Sequence, residues 1–140
     1  MDIGRGRRHH IFMSTSPWGM SFDHVSVSVG DPEASRKFYC DVLGFNQTPR
    51  PDFGFDGVWL EMSGTPIHLT TGGSTPGASR ALRPNEPHFA VTISVEPAVF
   101  LEHLEKNGVQ GYELQDSPAA RWQYFVADPD GNMIEFCIYN

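Results

Sequence analysis

The stretch FDHVSVSVGDPEASRKFYCDVLGF, Phe22–Phe45, changes its period halfway along. Up to Val29 it alternates. Val25, Val27 and Val29 fall on one side and His24, Ser26 and Ser28 on the other, the spacing of a strand. From Asp31 onward the period is helical. Asp31 suits an N-cap and Pro32 the first helical position, while Ala34, Phe38 and Val42 recur every fourth residue until Gly44 stops the helix. The stretch is therefore a strand running into a helix that can cover the valine face. The histidine on the polar face has no structural job.

The same pattern returns later in the chain. PHFAVTISVEP, Pro87–Pro97, repeats DHVSVSVGDP, Asp23–Pro32, with a histidine opening an alternating strand before a proline-started helix. SGTPIHLT, Ser63–Thr70, has its counterpart in the DGNMIEFC run, Asp130–Cys137, which sets His68 against Glu135. A pattern recurring at a nearly constant offset signals an internal duplication. In the first half, strands are expected over Phe45–Pro49, Val58–Met62 and Ile67–Thr70. In the second they are expected over Val109–Leu114, Trp122–Ala127 and Met133–Tyr139, with DPDG at Asp128–Gly131 as a tight turn. The second helix starts at Glu96-Pro97, carries an apolar stripe of Phe100, Leu101 and Leu104, and stops at Gly108. The expected domain spans residues 21–140, as modules 21–71 and 87–140. Its linker, 72–86, is rich in Gly, Ser and Pro and long enough to serve as a mobile flap over a site. Residues 1–20 read as an unstructured tail or an expression remnant. Met13 and Met20 are alternative starts, and no apolar core of a secretory signal follows the basic residues.

Sorting each strand into two faces isolates a set of polar side chains. The apolar faces can each pack on a helix. The opposite faces hold one metal-capable residue per strand, His24, His68, His88 and Glu135. If the two sheets curl toward each other, three imidazoles and a carboxylate share one cleft, a donor set suited to Fe, Mn, Ni or Zn. A single histidine on such a face is ordinarily just solvated. Four at duplicated positions point to a site.

Bulk properties narrow the classes. The 140 residues are 39% hydrophobic and 19% charged, as in ordinary globular domains. A formal charge of −7 argues against nucleic-acid binding, and no apolar run approaches a membrane span. Cys40 and Cys137 can both be free thiols, and a cytoplasmic location is the expectation.

DHVSVSVGDPEASRKFYCDVLGF, WLEMSGTPIHLT, HFAVTI and YFVADPDGNMIEF together resemble the vicinal oxygen chelate superfamily, from Phe22 to the C-terminus. That superfamily includes glyoxalase I, methylmalonyl-CoA epimerase, fosfomycin-resistance enzymes, extradiol dioxygenases and bleomycin-resistance proteins. The resemblance implies an α+β fold of two βαβββ modules forming a curved mixed sheet around a metal cleft. It implies His24, His88 and Glu135 as ligands of a divalent metal, with His68 as a fourth ligand or the proton shuttle and Glu135 also catalytic. The expected function is a metal-dependent enzyme of lyase/isomerase or dioxygenase type. Its small substrate would chelate the metal through neighbouring oxygens, and the protein would be a homodimer. The alternative is a bleomycin-resistance-like binding protein. The sequence departs from individual members. Glyoxalase I has a glutamate where His68 stands, extradiol dioxygenases carry a tyrosine near Phe125, and the cations for a phosphonate reduce to Arg121, with Arg80 and Arg83 on the linker.

Several other residues are placed by the same alternation. Trp59 and Glu61 should share the inward face of their strand. Arg121 and Gln123 open a strand that can reach the cleft, and Tyr124 should point away from it. Phe53 and Phe55 are expected in a loop capping an apolar substrate. Cys137 follows Glu135 on the same face, and His103 is expected mid-helix and solvent-exposed.

Overall fold

The computed structural model describes residues 15–140. His9, His10 and Met13 lie outside that range. The rest of the expected tail makes a turn closed by Gly19 N donating to Ser16 O at 3.0 Å, with Trp18 79% exposed.

The two halves build the same unit twice. The first comprises β1 (Val25–Ser28), α1 (Pro32–Arg36, continued by π-helical Lys37–Val42), β2 (Asn46–Thr48), β3 (Gly57–Met62) and β4 (Thr65–Thr70). The second comprises β5 (His88–Thr92), α2 (Pro97–Lys106), β6 (Gly111–Glu113), β7 (Trp122–Ala127) and β8 (Met133–Ile138). Each gives a four-stranded mixed sheet, ordered β1-β4-β3-β2 and β5-β8-β7-β6. Even the register is duplicated. Val25 faces Ile67 across the parallel β1–β4 pair as Phe89 faces Ile134 across β5–β8, and Trp59 faces His68 as Phe125 faces Glu135. The strands begin or end within a few residues of their expected limits. His24 falls one residue before β1.

Asp31 caps α1 as its chemistry requires, its Oδ1 accepting from Glu33 N at 3.1 Å and Ala34 N at 3.3 Å. Glu96 starts α2 without a side-chain cap bond. The helix faces agree only in part with the expected stripes. Leu104 is buried, with Phe100 and Leu101 packed beside it. In the first helix Ser35 and Tyr39 are the residues with no exposure at all, while Phe38 and Val42 pack at the core's margin. Both have hydroxyls, so an apolar count passes over them. The last turn is wide, Leu43 N reaching back five residues to Phe38 O at 3.1 Å.

The core lies between each helix and its sheet, and includes Val27, Leu60, Leu69, Ile134 and Phe136. The modules are joined through a buried polar cluster. Tyr39 OH donates to Asp128 Oδ2 at 2.9 Å, and Asn132 Nδ2 donates both to that oxygen at 2.9 Å and to Ser28 O at 2.8 Å. Gly30 N donates to Asp130 Oδ2 at 3.0 Å. Burial pushes the Asp128 carboxyl up, against the bonds from Asn132 and Tyr39 that pull it down. His103, read as merely exposed, adds a tie, its Nε2 donating to the Val42 carbonyl at 2.6 Å.

The linker does not hang free where it passes the DPDG turn. Gly77 N donates to Asp130 O at 2.8 Å, and Gly131 approaches so closely that a Cβ there would stand 2.1 Å from Gly77 O. The turn thus requires glycine, which also takes its positive φ of 86°.

Two substitutions separate satisfied from unsatisfied burial. Tyr39→Phe should lower unfolding free energy by about 2 kcal/mol, because the buried Asp128 loses a donor. Ser35→Ala should raise it by about 1 kcal/mol, since the Ser35 Oγ is buried with no partner among the described residues and alanine is the better helix former. Chemical denaturation of the two variants checks both signs.

Candidate metal-binding face

The polar faces of the two sheets carry the four residues singled out by alternation, grouped as two pairs. In the first sheet His24 stacks on His68, with ring centroids 4.2 Å apart and planes at 25°. On its other side His68 stacks on Trp59 at 4.1 Å and 7°, a consequence of the direct pairing of Trp59 with His68 across β3–β4. Asp23 holds the first histidine, His24 Nδ1 donating to its Oδ2 at 2.8 Å.

The second sheet has the corresponding pair. His88 Nε2 stands 3.8 Å from Glu135 Oε2, with the two side chains 25% and 10% exposed. His88 Nδ1 lies 2.7 Å from the Glu86 carbonyl. That carbonyl only accepts, so Nδ1 donates to it, and Nε2 is the ring nitrogen turned toward Glu135. The His88 ring meets Phe125 edge-on at 5.4 Å. Glu135 Oε1 accepts from Gln123 Nε2 at 2.6 Å.

This chemistry fits a divalent cation in both halves. His24 and His88 each spend Nδ1 on an oxygen acceptor, leaving Nε2 available, the arrangement by which outer partners orient metal-ligating histidines. His88 Nε2 and Glu135 Oε2 converge at 3.8 Å, two atoms of the kind that ligate a divalent cation. The four residues do not meet in one chain. Among the described residues, no three His, Cys, Asp or Glu side chains gather as a metal-holding group.

Of the other residues placed by alternation, Gln123 reaches the site and Arg121 does not. Arg121 turns toward Glu96, Nη1 to Oε2 at 3.8 Å. Tyr124 points away, as expected, stacking on Trp122 at 5.6 Å and accepting a hydrogen bond from Gly111 N. Glu61 accepts from Gly64 N and, at 3.5 Å, from Asn46 Nδ2. Tyr112, which the strand reading passed over, stands beside Phe125 at 6.4 Å on the site face, because β6 pairs the two directly. Phe53 and Phe55 stack on each other in the β2–β3 loop at 5.7 Å, with Phe53 5.9 Å from Trp59. A groove of about 510 Å³ runs between the modules, bordered by Ser26, Ser28, Arg80, His88 and Asn132.

Paired βαβββ units with metal-capable side chains at duplicated positions define a class of protein, and comparison with known families agrees. The family model of the Glyoxalase/Bleomycin resistance protein/Dioxygenase superfamily matches residues 21–136, and the chain belongs to that superfamily. Over 122 residues it is 32% identical to Glyoxylase I 4 of Arabidopsis thaliana, covering 84% of this chain and 70% of that protein. A glyoxalase family protein from Bacillus anthracis shares the fold with a TM-score of 0.70 at 26% identity, over 86% of this chain and 96% of that one. The fosfomycin resistance protein FosX from Listeria monocytogenes reaches 0.72 at 16% identity, over 86% and 91%, a likeness of fold. No helix among the described residues is long and apolar enough to cross a membrane.

The cysteine beside Glu135 can be tested directly. Cys137 is 2% exposed, and burial pushes its thiol above the ordinary value, so little reactive thiolate forms at neutral pH. In a Cys40→Ser variant, which removes the other free thiol, a disulfide reagent such as Ellman's should label Cys137 only at the rate of unfolding. Rapid labelling of native protein would make it a reactive thiol.

Proposed function

We propose that this protein is a metal-dependent enzyme of the glyoxalase type, a lyase or isomerase acting on a small substrate with neighbouring oxygens. One observation carries the reading. The His24–His68 pair and the His88–Glu135 pair occupy equivalent places on two duplicated sheets, yet remain apart within a chain. They are halves of a site. A two-fold homodimer completes it, with His24 and His68 of one subunit facing a His88–Glu135 pair of the other, and the operation generates two such sites.

A divalent metal held by His24, His88 and Glu135 supplies Lewis acidity toward two substrate oxygens. The chain's own groups do the rest. Gln123 fixes one Glu135 oxygen, leaving the other to ligand or substrate. His68, held between Trp59 and His24, is a fourth ligand or moves the substrate proton. The 32% identity to a protein named as a glyoxalase favours proton-moving chemistry over oxygen insertion.

Elemental analysis of protein purified without a chelating column should find about one metal per chain. His24→Ala and Glu135→Ala should each abolish it. Refolded together, the two variants should regain about a quarter of the wild-type sites, because half the dimers are mixed and each mixed dimer holds one intact site. No regain would refute assembly across subunits. Wild-type protein without metal, whose small-molecule binding survives both substitutions, would be a binding protein of the bleomycin-resistance kind instead. Loss of activity in His68→Ala with metal retained assigns the proton role, and loss of metal assigns a ligand.

Gln123→Ala should weaken metal binding about tenfold with the melting temperature nearly unchanged, by releasing Glu135. Competition with a chelating dye reads the affinity.

A further inference from the structure

The site face carries a cation that the sequence reading did not single out. β2 pairs Asn46 with Glu61 and Thr48 with Trp59, and continuing that register two residues sets Arg50 opposite Gly57, on the face of Trp59 and His68. The side chain bears this out. Arg50 Nε and Nη2 lie 2.9 Å from where a Cβ on Gly57 would stand, so the guanidinium crosses a place kept bare by glycine. The duplicated position in the second sheet carries Gln123, since Gly57 pairs with Thr70 as Gln123 pairs with Cys137.

Arg50 is held by aromatic faces and not by acids. Its guanidinium carbon lies 4.9 Å from the Phe53 ring centre and 5.2 Å from that of Phe55. Its Nε is buried without a hydrogen-bond partner among the described residues. The nearby Asp52 accepts instead from Gly54 N at 2.8 Å. In a chain of net charge −7, a half-buried guanidinium without a carboxylate partner among the described residues is unusual chemistry, because such groups are ordinarily paired.

From Arg50 a row of neighbouring rings leads toward the proposed metal. Phe53 stands beside Trp59 at 5.9 Å, Trp59 stacks on His68, and His68 stacks on His24. Gly57 and Trp59 are two residues apart on one strand, so the cation sits about 7 Å along the face from the Trp59–His68 row. That is about the length of one small ring.

We propose that Arg50 is the oxyanion subsite of this face, and that the substrate is a small anion with an apolar body. That body packs beside the exposed Phe53 and the Trp59–His68 row with its carboxylate or phosphonate on Arg50. The proposal rests on the metal-site reading only for what lies at the row's far end. Phe53 and Phe55, 50% and 53% exposed, form the outer wall.

Calorimetric titration of chelator-dialysed, metal-free protein separates this from the metal question. The probes are benzoate, phenylphosphonate and the neutral isostere benzamide. Wild type should bind at least one of the oxyanions about tenfold or more tighter than benzamide, as a charge-assisted contact requires. The tighter of the two names the headgroup. Arg50→Gln should lose the preference with an unchanged melting temperature, and Arg50→Lys should keep part of it, a point charge replacing a planar fork. Equal affinity of wild type for benzamide and both oxyanions overturns the proposal, as does absence of binding by all three or an undiminished preference in Arg50→Gln. Should Arg50→Gln fail to fold, the wild-type comparison and Arg50→Lys decide, an undiminished preference in Arg50→Lys counting against the fork. A protein that takes up metal but shows no oxyanion preference removes this inference alone, and one that shows the preference but takes up no metal removes the metal reading alone.

Discussion

The buried carboxylate of Asp128 is the constraint around which the two modules are set. It lies in the turn before β8, accepts at Oδ1 from the backbone N–H groups of Asp130 and Asn132 at 2.9 Å each, and accepts at Oδ2 from Tyr39 and Asn132. Burial makes such a group costly unless its lone pairs are filled. Here they are filled by donors from both modules' sequence. Tyr39 comes from the first helix, and Asn132 also reaches the carbonyl of Ser28 at the end of β1. Removing any donor therefore loosens the attachment of β8 to β1, the two strands next to the candidate ligands.

Within each sheet the register arranges the site. Each presents a histidine before or at the start of its first strand and a second ligand candidate on the parallel neighbour, so each sheet keeps its own pair. His88 Nε2 faces Glu135 Oε2, and His24 and His68 are stacked face to face. The aromatic partner differs between modules in a telling way. Trp59 lies flat on His68, whereas Phe125 meets His88 with its edge. The first sheet thus presents a stack of rings, Trp59, His68 and His24, and the second a histidine beside a nearly buried carboxylate.

Much of this was legible in the residues. Alternation in VSVSV and HFAVT, with Asp31-Pro32 and Glu96-Pro97 after them, was enough to define strand, helix and duplication, because side-chain direction in a strand follows from position alone. The four ligand candidates were found by the same parity. Ser35 and Tyr39 were not, since a hydroxyl hides a residue from an apolar count even when the fold buries it completely. Arg50 escaped because its meaning depends on the residue opposite. Only the pairing of β2 with β3 shows that Gly57 leaves it a path across the face. Cys137 and Glu135 share that parity, yet burial sets the thiol aside.

What the sequence by itself determined is local: which residues form each strand, which face they share, where each helix begins, and that the unit occurs twice. Periodicity and capping act over a few residues, so they can be read without knowing the neighbours. What only the tertiary structure decided is which equivalent faces meet. Whether four inward side chains make one site or two halves depends on contacts about 100 residues apart in sequence, Tyr39 to Asp128, Ser28 to Asn132 and Gly30 to Asp130. Those contacts are hydrogen bonds between groups whose partners no local pattern names, and they join the two sheets, while the pairing within each sheet sets His24 by His68 and His88 by Glu135.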